Sequence, residues 1–142
     1  MGARAETGRV VYTATTRTTG GRDNGVSRSS DGQLDVQLAP PRSAGMGTNP
    51  EQLFAAGWSA CFGSAIALVA RKRKVALGEV TIDAEIDLHL ADDADYFLSA
   101  RLSISIPGVE RAVAHTLVQE AEHLCPYSKA TRGNIDVTFN LL

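Results

Sequence analysis

Two cysteines stand 64 positions apart, each in an apolar setting. Cys61 lies in Phe54-Ala55-Ala56-Gly57-Trp58-Ser59-Ala60-Cys61-Phe62, and Cys125 in Glu122-His123-Leu124-Cys125-Pro126-Tyr127-Ser128. That separation excludes a CxxC redox motif and a metal knuckle. Such a pair is either two inert core thiols or a reactive thiol with a distant partner that resolves it. A thiol reacts as its thiolate, and burial among apolar groups disfavours that form. Reactivity at Cys61 therefore requires a nearby cation. Arg22, in the turn Gly20-Gly21-Arg22-Asp23, and Arg132, in Thr131-Arg132-Gly133-Asn134, are the candidates away from the cysteine's own helix. Arginine stays charged when buried, and its planar fork suits both a thiolate and a carboxylate.

Glu51 begins the segment that carries Cys61. Its simplest role is a favourable charge at a helix N-terminus. A straight helix would separate Glu51 from Cys61 by ~15 Å of rise. Either the helix breaks, with Gly57 the natural place, or Glu51 acts through another residue or another subunit. Other chemistry is poorly supported. His89, His115 and His123 have no metal-ligand spacing. There is no P-loop, no GxGxxG after a strand and no GxSxG elbow. Asp92-Asp93-Ala94-Asp95 lacks the rest of a calcium loop and reads as a hairpin tip.

The elements that must position these residues follow from patterning. Residues 8–19 are rich in β-branched types and predict a strand, and 20–25 a turn. Val26 to Ser30 predicts a short strand, Asp31-Gly32 a hairpin turn, and Leu34, Val36 and Leu38 alternate along a third strand. Residues 39–47 form a Pro- and Gly-containing loop. Thr48-Asn49-Pro50-Glu51 starts a helix, with a capping side chain, Pro at the first helical position and an acid in the first turn. That helix runs to about Lys74 and is apolar almost all round, as a core helix is. Its small residues Gly57, Ser59, Ala60, Gly63, Ser64 and Ala65 admit a second backbone, most simply another long helix. Residues 77–90 and 96–106 alternate as a long hairpin. Residues 109–124 form an amphipathic helix that Pro126 stops, and residues 134–142 a last strand. Segregated strands and helices with hairpin links imply an α+β fold, with mostly antiparallel sheets around a long buried helix.

The 142 residues predict a single domain over 1–142. So short a chain has little with which to surround an all-round apolar helix, which favours an intertwined homodimer. The net charge of -2 and pI near 5.9 argue against a nucleic-acid partner. The basic run Arg71-Lys72-Arg73-Lys74 is a solvated helix end that complements the dipole. No apolar signal segment precedes residue 10 and no membrane span is expected, which places the chain in the cytoplasm. In that reducing compartment a disulfide is more often catalytic than structural.

Taken together the segments resemble the organic hydroperoxide resistance proteins, the Ohr branch of the Ohr/OsmC superfamily. The resemblance is carried by Tyr12-Thr13-Ala14-Thr15, Gly20-Gly21-Arg22-Asp23 and Ser29-Ser30-Asp31-Gly32. It continues through Gly47-Thr48-Asn49-Pro50-Glu51-Gln52-Leu53-Phe54, Ser59-Ala60-Cys61-Phe62, Cys125-Pro126-Tyr127-Ser128 and Ala130-Thr131-Arg132-Gly133-Asn134. It implies the Ohr/OsmC-like fold and a thiol peroxidase that works without metal, flavin or other bound cofactor. Cys61 matches the peroxidatic cysteine, which attacks an organic hydroperoxide and becomes a sulfenic acid. Cys125 matches the resolving cysteine that closes a disulfide. Arg22 matches the arginine that stabilises the thiolate, and Glu51 the carboxylate that holds this arginine. The resemblance further implies an intertwined homodimer with active sites at its interface. The implied reductant is the dihydrolipoyl group of a lipoylated protein.

Phe54, Trp58 and Phe62 surround the thiol in sequence and suit an alkyl or lipid hydroperoxide. Three features depart from the family pattern: a shorter loop over 41–47, Trp58 where tyrosine is common, and Lys129 where asparagine is. The alternative reading is an OsmC-like protein that binds a small apolar ligand or senses redox state without fast turnover.

Overall fold

A computed structural model describes residues 8–142. They fall into two compact units, one within residues 8–49 and the other Pro50–Leu142.

The first unit is an antiparallel sheet of three short strands, β1 (Thr16–Thr19), β2 (Val26–Ser29) and β3 (Asp35–Gln37), in the order β1-β2-β3. The strand expected over 8–19 is confined to its last four residues. The ladder with β2 runs from Thr16 opposite Ser29 to Thr19 opposite Val26. The last bond of this edge goes from Ser30 N–H to the Thr15 carbonyl. Among the described residues no strand pairs with 8–14, so their β-branched character forms no ladder there. The expected turn at 20–25 holds one helical turn, α1 (Gly21–Asn24). Gly25 closes it in a place where a Cβ would meet the Gly21 carbonyl at 2.1 Å and the Thr19 carbonyl at 2.4 Å. The Asp31-Gly32 hairpin is present, with Asp31 accepting from Ser29 Oγ (2.6 Å) and from Gln33 N–H (3.0 Å).

The second unit is a three-stranded sheet covered on one face by helices. Helix α2 (Pro50–Lys72) is followed by the hairpin β4 (Thr81–Ala91) and β5 (Asp95–Ser105). Helices α3 (Arg111–Leu124) and α4 (Pro126–Thr131) then lead to β6 (Asp136–Leu141), which lies parallel to β5. A parallel neighbour needs a crossover, and the two helices supply it. The core joins Trp58, Phe62, Ile66 and Val69 of α2 to Leu102 and Ile104 of β5 and Leu117 and Ala121 of α3. Phe62 stacks on Phe139 with centroids 5.2 Å apart.

Helix α2 is long and apolar enough to cross a membrane by length and composition, and as expected of a core helix its Trp58, Phe62, Ile66 and Val69 stripe is the centre of this core. Three details differ from the patterning. Burial is one-sided within the chain, because Ala56, Ala60, Ser64 and Ala67 on the opposite face are exposed. On β4 the alternation continues past the helical cover, so Leu88 (43% exposed) and Leu90 (58%) are not core residues. Third, Pro126 ends α3 but also begins α4.

The outer face of the hairpin is polar. Arg101 forms a bidentate pair with Asp87 and reaches Glu85 through Nε at 3.2 Å. Within the basic run, Arg73 pairs with Glu120 and ties the end of α2 to α3.

Candidate active site

The joint between α3 and α4 brings the two cysteines together. A residue before proline is pushed out of the helical region, and Cys125 accordingly sits at φ -63°, ψ 121°. Pro126 then serves as the first residue of α4, where its missing N–H costs nothing. The chain turns at Cys125 and lays the start of α4 against the middle of α2. Cys125 is fully buried, and Cys61, on α2, is partly buried; both are free thiols.

The environment of Cys61 is defined within this unit. Burial pushes its thiol above the ordinary value. The Tyr127 N–H, a donor to the sulfur, pulls the other way. The Cys125 side chain, within hydrogen-bonding range, adds to the rise. The two side chains are thus neighbours, as a resolving pair requires. The balance at Cys61 nevertheless favours the neutral thiol, so these surroundings alone do not make it a nucleophile.

An aromatic cluster holds the α2–α4 contact. Phe54 packs against Trp58 (centroids 5.7 Å) and edge-on against Tyr127 (6.1 Å). Trp58 Nε1 donates to Ser128 Oγ at 3.2 Å in a buried bond. The Tyr127 ring lies directly over Gly57, where an added Cβ would meet its Oη at 2.6 Å. Gly57 is therefore the site of a close approach, and the helix break considered for it does not occur: α2 runs unbroken from Pro50 to Lys72. Trp58 and Phe62 are fully buried, so they back the thiol and do not face a ligand. Phe54 and Tyr127 are the aromatic groups with surface to offer.

The remaining expected residues are placed as follows. Glu51 is in the first turn of α2, ~15 Å of helical rise from Cys61. Arg22 is in α1 of the first unit and is partly buried. Arg132, the other candidate cation, follows α4 and donates through Nη2 to the Glu122 carbonyl at 2.5 Å. Tyr127 and Ser128 were visible in the sequence only as neighbours of Cys125. The Cys-Pro pair was the available sign that the segment must turn there.

The family model for OsmC-like protein matches residues 43–140. The organic hydroperoxide resistance protein of Xanthomonas axonopodis pv. citri is 47% identical over 138 residues, covering 94% of this chain and 96% of that protein. The chain belongs to the OsmC-like family, in its organic hydroperoxide resistance branch. A second relative, OhrA of Bacillus subtilis, is 44% identical over 92% of this chain and 96% of its own. The crystal structure of OhrB from the same organism superposes with a TM-score of 0.87, at 39% identity, over 94% of this chain and all of that one. The α+β architecture described above is thus the Ohr/OsmC fold.

Proposed function

We propose that this chain is a thiol-dependent peroxidase that reduces organic hydroperoxides to alcohols and so contributes to organic hydroperoxide resistance. The observation that carries the reading is the meeting of Cys61 and Cys125, 64 residues apart in sequence, under the aromatic cluster of Phe54 and Tyr127. Two inert core thiols have no need to adjoin, whereas a resolving thiol must. Relatives named for organic hydroperoxide resistance support the same reading.

In this mechanism the Cys61 thiolate attacks the distal peroxide oxygen. An S–O bond forms, the O–O bond breaks, and the alkoxide leaves with a proton as the alcohol. Cys125 then attacks the Cys61 sulfenic acid, forming the disulfide and releasing water. A dihydrolipoyl-type dithiol restores both thiols. Because burial raises the Cys61 thiol, the reaction needs a cation. We assign that role to Arg22, from its own or a partner chain, and assign Glu51 to hold this arginine. Both assignments rest on the resemblance and on this electrostatic need.

We also propose that the chain acts as a homodimer in the cytoplasm. The exposed small-residue face of α2 and the unladdered residues 8–14 support a second copy as their cover.

The test is stopped-flow oxidation of the reduced protein by cumene hydroperoxide and by H2O2, for wild type and Cys61→Ser. Fast oxidation by the organic peroxide that depends on Cys61, followed by turnover with dihydrolipoamide, is the expected result. Slow oxidation by both peroxides, or oxidation indifferent to Cys61, would move the function to ligand binding or sensing.

A further inference from the structure

Trp58 and Ser128 are 70 residues apart, both buried, and joined by one hydrogen bond. Trp58 precedes Cys61 by three residues on α2, and Ser128 follows Cys125 by three on the other partner. The bond therefore spans the same pair of segments as the two thiols, about one helical turn from each. Cys125 sits where α3 and α4 meet, and Pro126 prevents a continuous helix from fixing it. The Tyr127 ring also touches α2, but it is 39% exposed. A buried indole N–H must keep its acceptor, so the Trp58–Ser128 bond is the firm link.

We propose that this bond is a positioning tie for the resolving step: Trp58 and Ser128 hold Cys125 in line with an oxidised Cys61 and so govern disulfide closure, not attack on the peroxide. The inference rests on the peroxidase reading above. Closure has strict geometry, since the two Cα atoms must lie within ~7 Å with converging Cβ vectors. The attack on peroxide is made by Cys61 on a diffusing molecule and does not require Cys125 to be in register. In the closing step the Cys125 sulfur attacks the Cys61 sulfur, the S–S bond forms, the S–O bond breaks, and the hydroxyl leaves as water with the Cys125 proton. When closure is slow, a second hydroperoxide oxidises the waiting sulfenate to sulfinic acid and is itself reduced to the alcohol.

The experiment compares wild type, Ser128→Ala, Ser128→Thr and Trp58→Phe. Cumene hydroperoxide is the oxidant, dimedone traps the sulfenic acid, and mass spectrometry counts disulfide and sulfinic acid. Threonine keeps the acceptor oxygen, and Ser128 borders a cavity of about 280 Å³ that can take the methyl group. We expect first-step oxidation of Cys61 within about twofold of wild type in all four proteins. Disulfide closure should slow about fivefold or more in Ser128→Ala and Trp58→Phe, the factor carried by one buried neutral hydrogen bond. Sulfinic acid should accumulate in those two, and Ser128→Thr should close at the wild-type rate. Unchanged closure in Ser128→Ala would overturn the tie. So would equal slowing in Ser128→Thr, which would mark a packing effect. If wild-type Cys61 resists the peroxide altogether, the peroxidase reading fails by itself. Closure of the same four proteins with diamide then judges the tie alone.

Discussion

Gly57→Ala tests the approach of α4 to α2 most directly. In an isolated helix the change from glycine to alanine is favourable by about 0.5–1 kcal/mol. Here the new Cβ would stand 2.6 Å from Tyr127 Oη and 3.1 Å from Cζ. Ordinary contact begins at 3.4 Å, so the ring must retreat by about 0.8 Å to recover van der Waals distance. The retreat disrupts the edge-on contact with Phe54, an arrangement worth about 0.5–1.5 kcal/mol. Gain and loss nearly cancel, and Gly57→Ala should change the unfolding free energy by less than about 1 kcal/mol. In a Tyr127→Ala background the obstacle is gone and only the gain remains. There the same substitution should stabilise by about 0.5–1 kcal/mol. Urea unfolding of the four proteins in this cycle gives the coupling energy. Equal stabilisation in both backgrounds would refute the claim that Tyr127 is seated on Gly57.

Other expected outcomes follow from the same contacts. Cys125→Ala removes a group that raises the Cys61 thiol, so alkylation of Cys61 by iodoacetamide should titrate at lower pH than in wild type. Because the folded-state value of Cys61 is raised, its contribution to stability is full below about pH 9 and is lost as pH rises through the folded value. The gap in unfolding free energy between wild type and Cys61→Ala should therefore narrow in alkali. Asp87 is held below the usual carboxylate range, chiefly by its hydrogen bonds with Arg101. Its contribution is present above the unfolded value and lost as pH falls through the folded one. Arg101→Ala should accordingly flatten the acid limb of a plot of Tm against pH. Phe62→Ala, which removes a fully buried ring stacked on Phe139, should cost about 3–5 kcal/mol in urea unfolding.

Elements whose signals are local were legible from residue types and their spacing. Pro50 and Glu51 mark the start of α2, the alternation from Val80 to Ile86 and from Ala100 to Ile106 gives the long hairpin, and Asp31-Gly32 gives the turn between β2 and β3. The motif pairs around Cys61 and Cys125 were enough to suggest the family. Strand extent was less legible, because a β-branched run such as 8–15 becomes a strand only where a neighbour supplies hydrogen bonds. Leu88 and Leu90 kept the right period, but periodicity fixes a face and cannot say where the covering helix ends. The candidate site depended most on tertiary structure. Residue types named Cys61 and Cys125, yet whether their sulfurs met was open until the Cys-Pro joint folded the start of α4 onto α2. Gly57 could equally have broken the helix. It instead admits Tyr127, a choice made by packing between residues 70 positions apart, which no local pattern encodes.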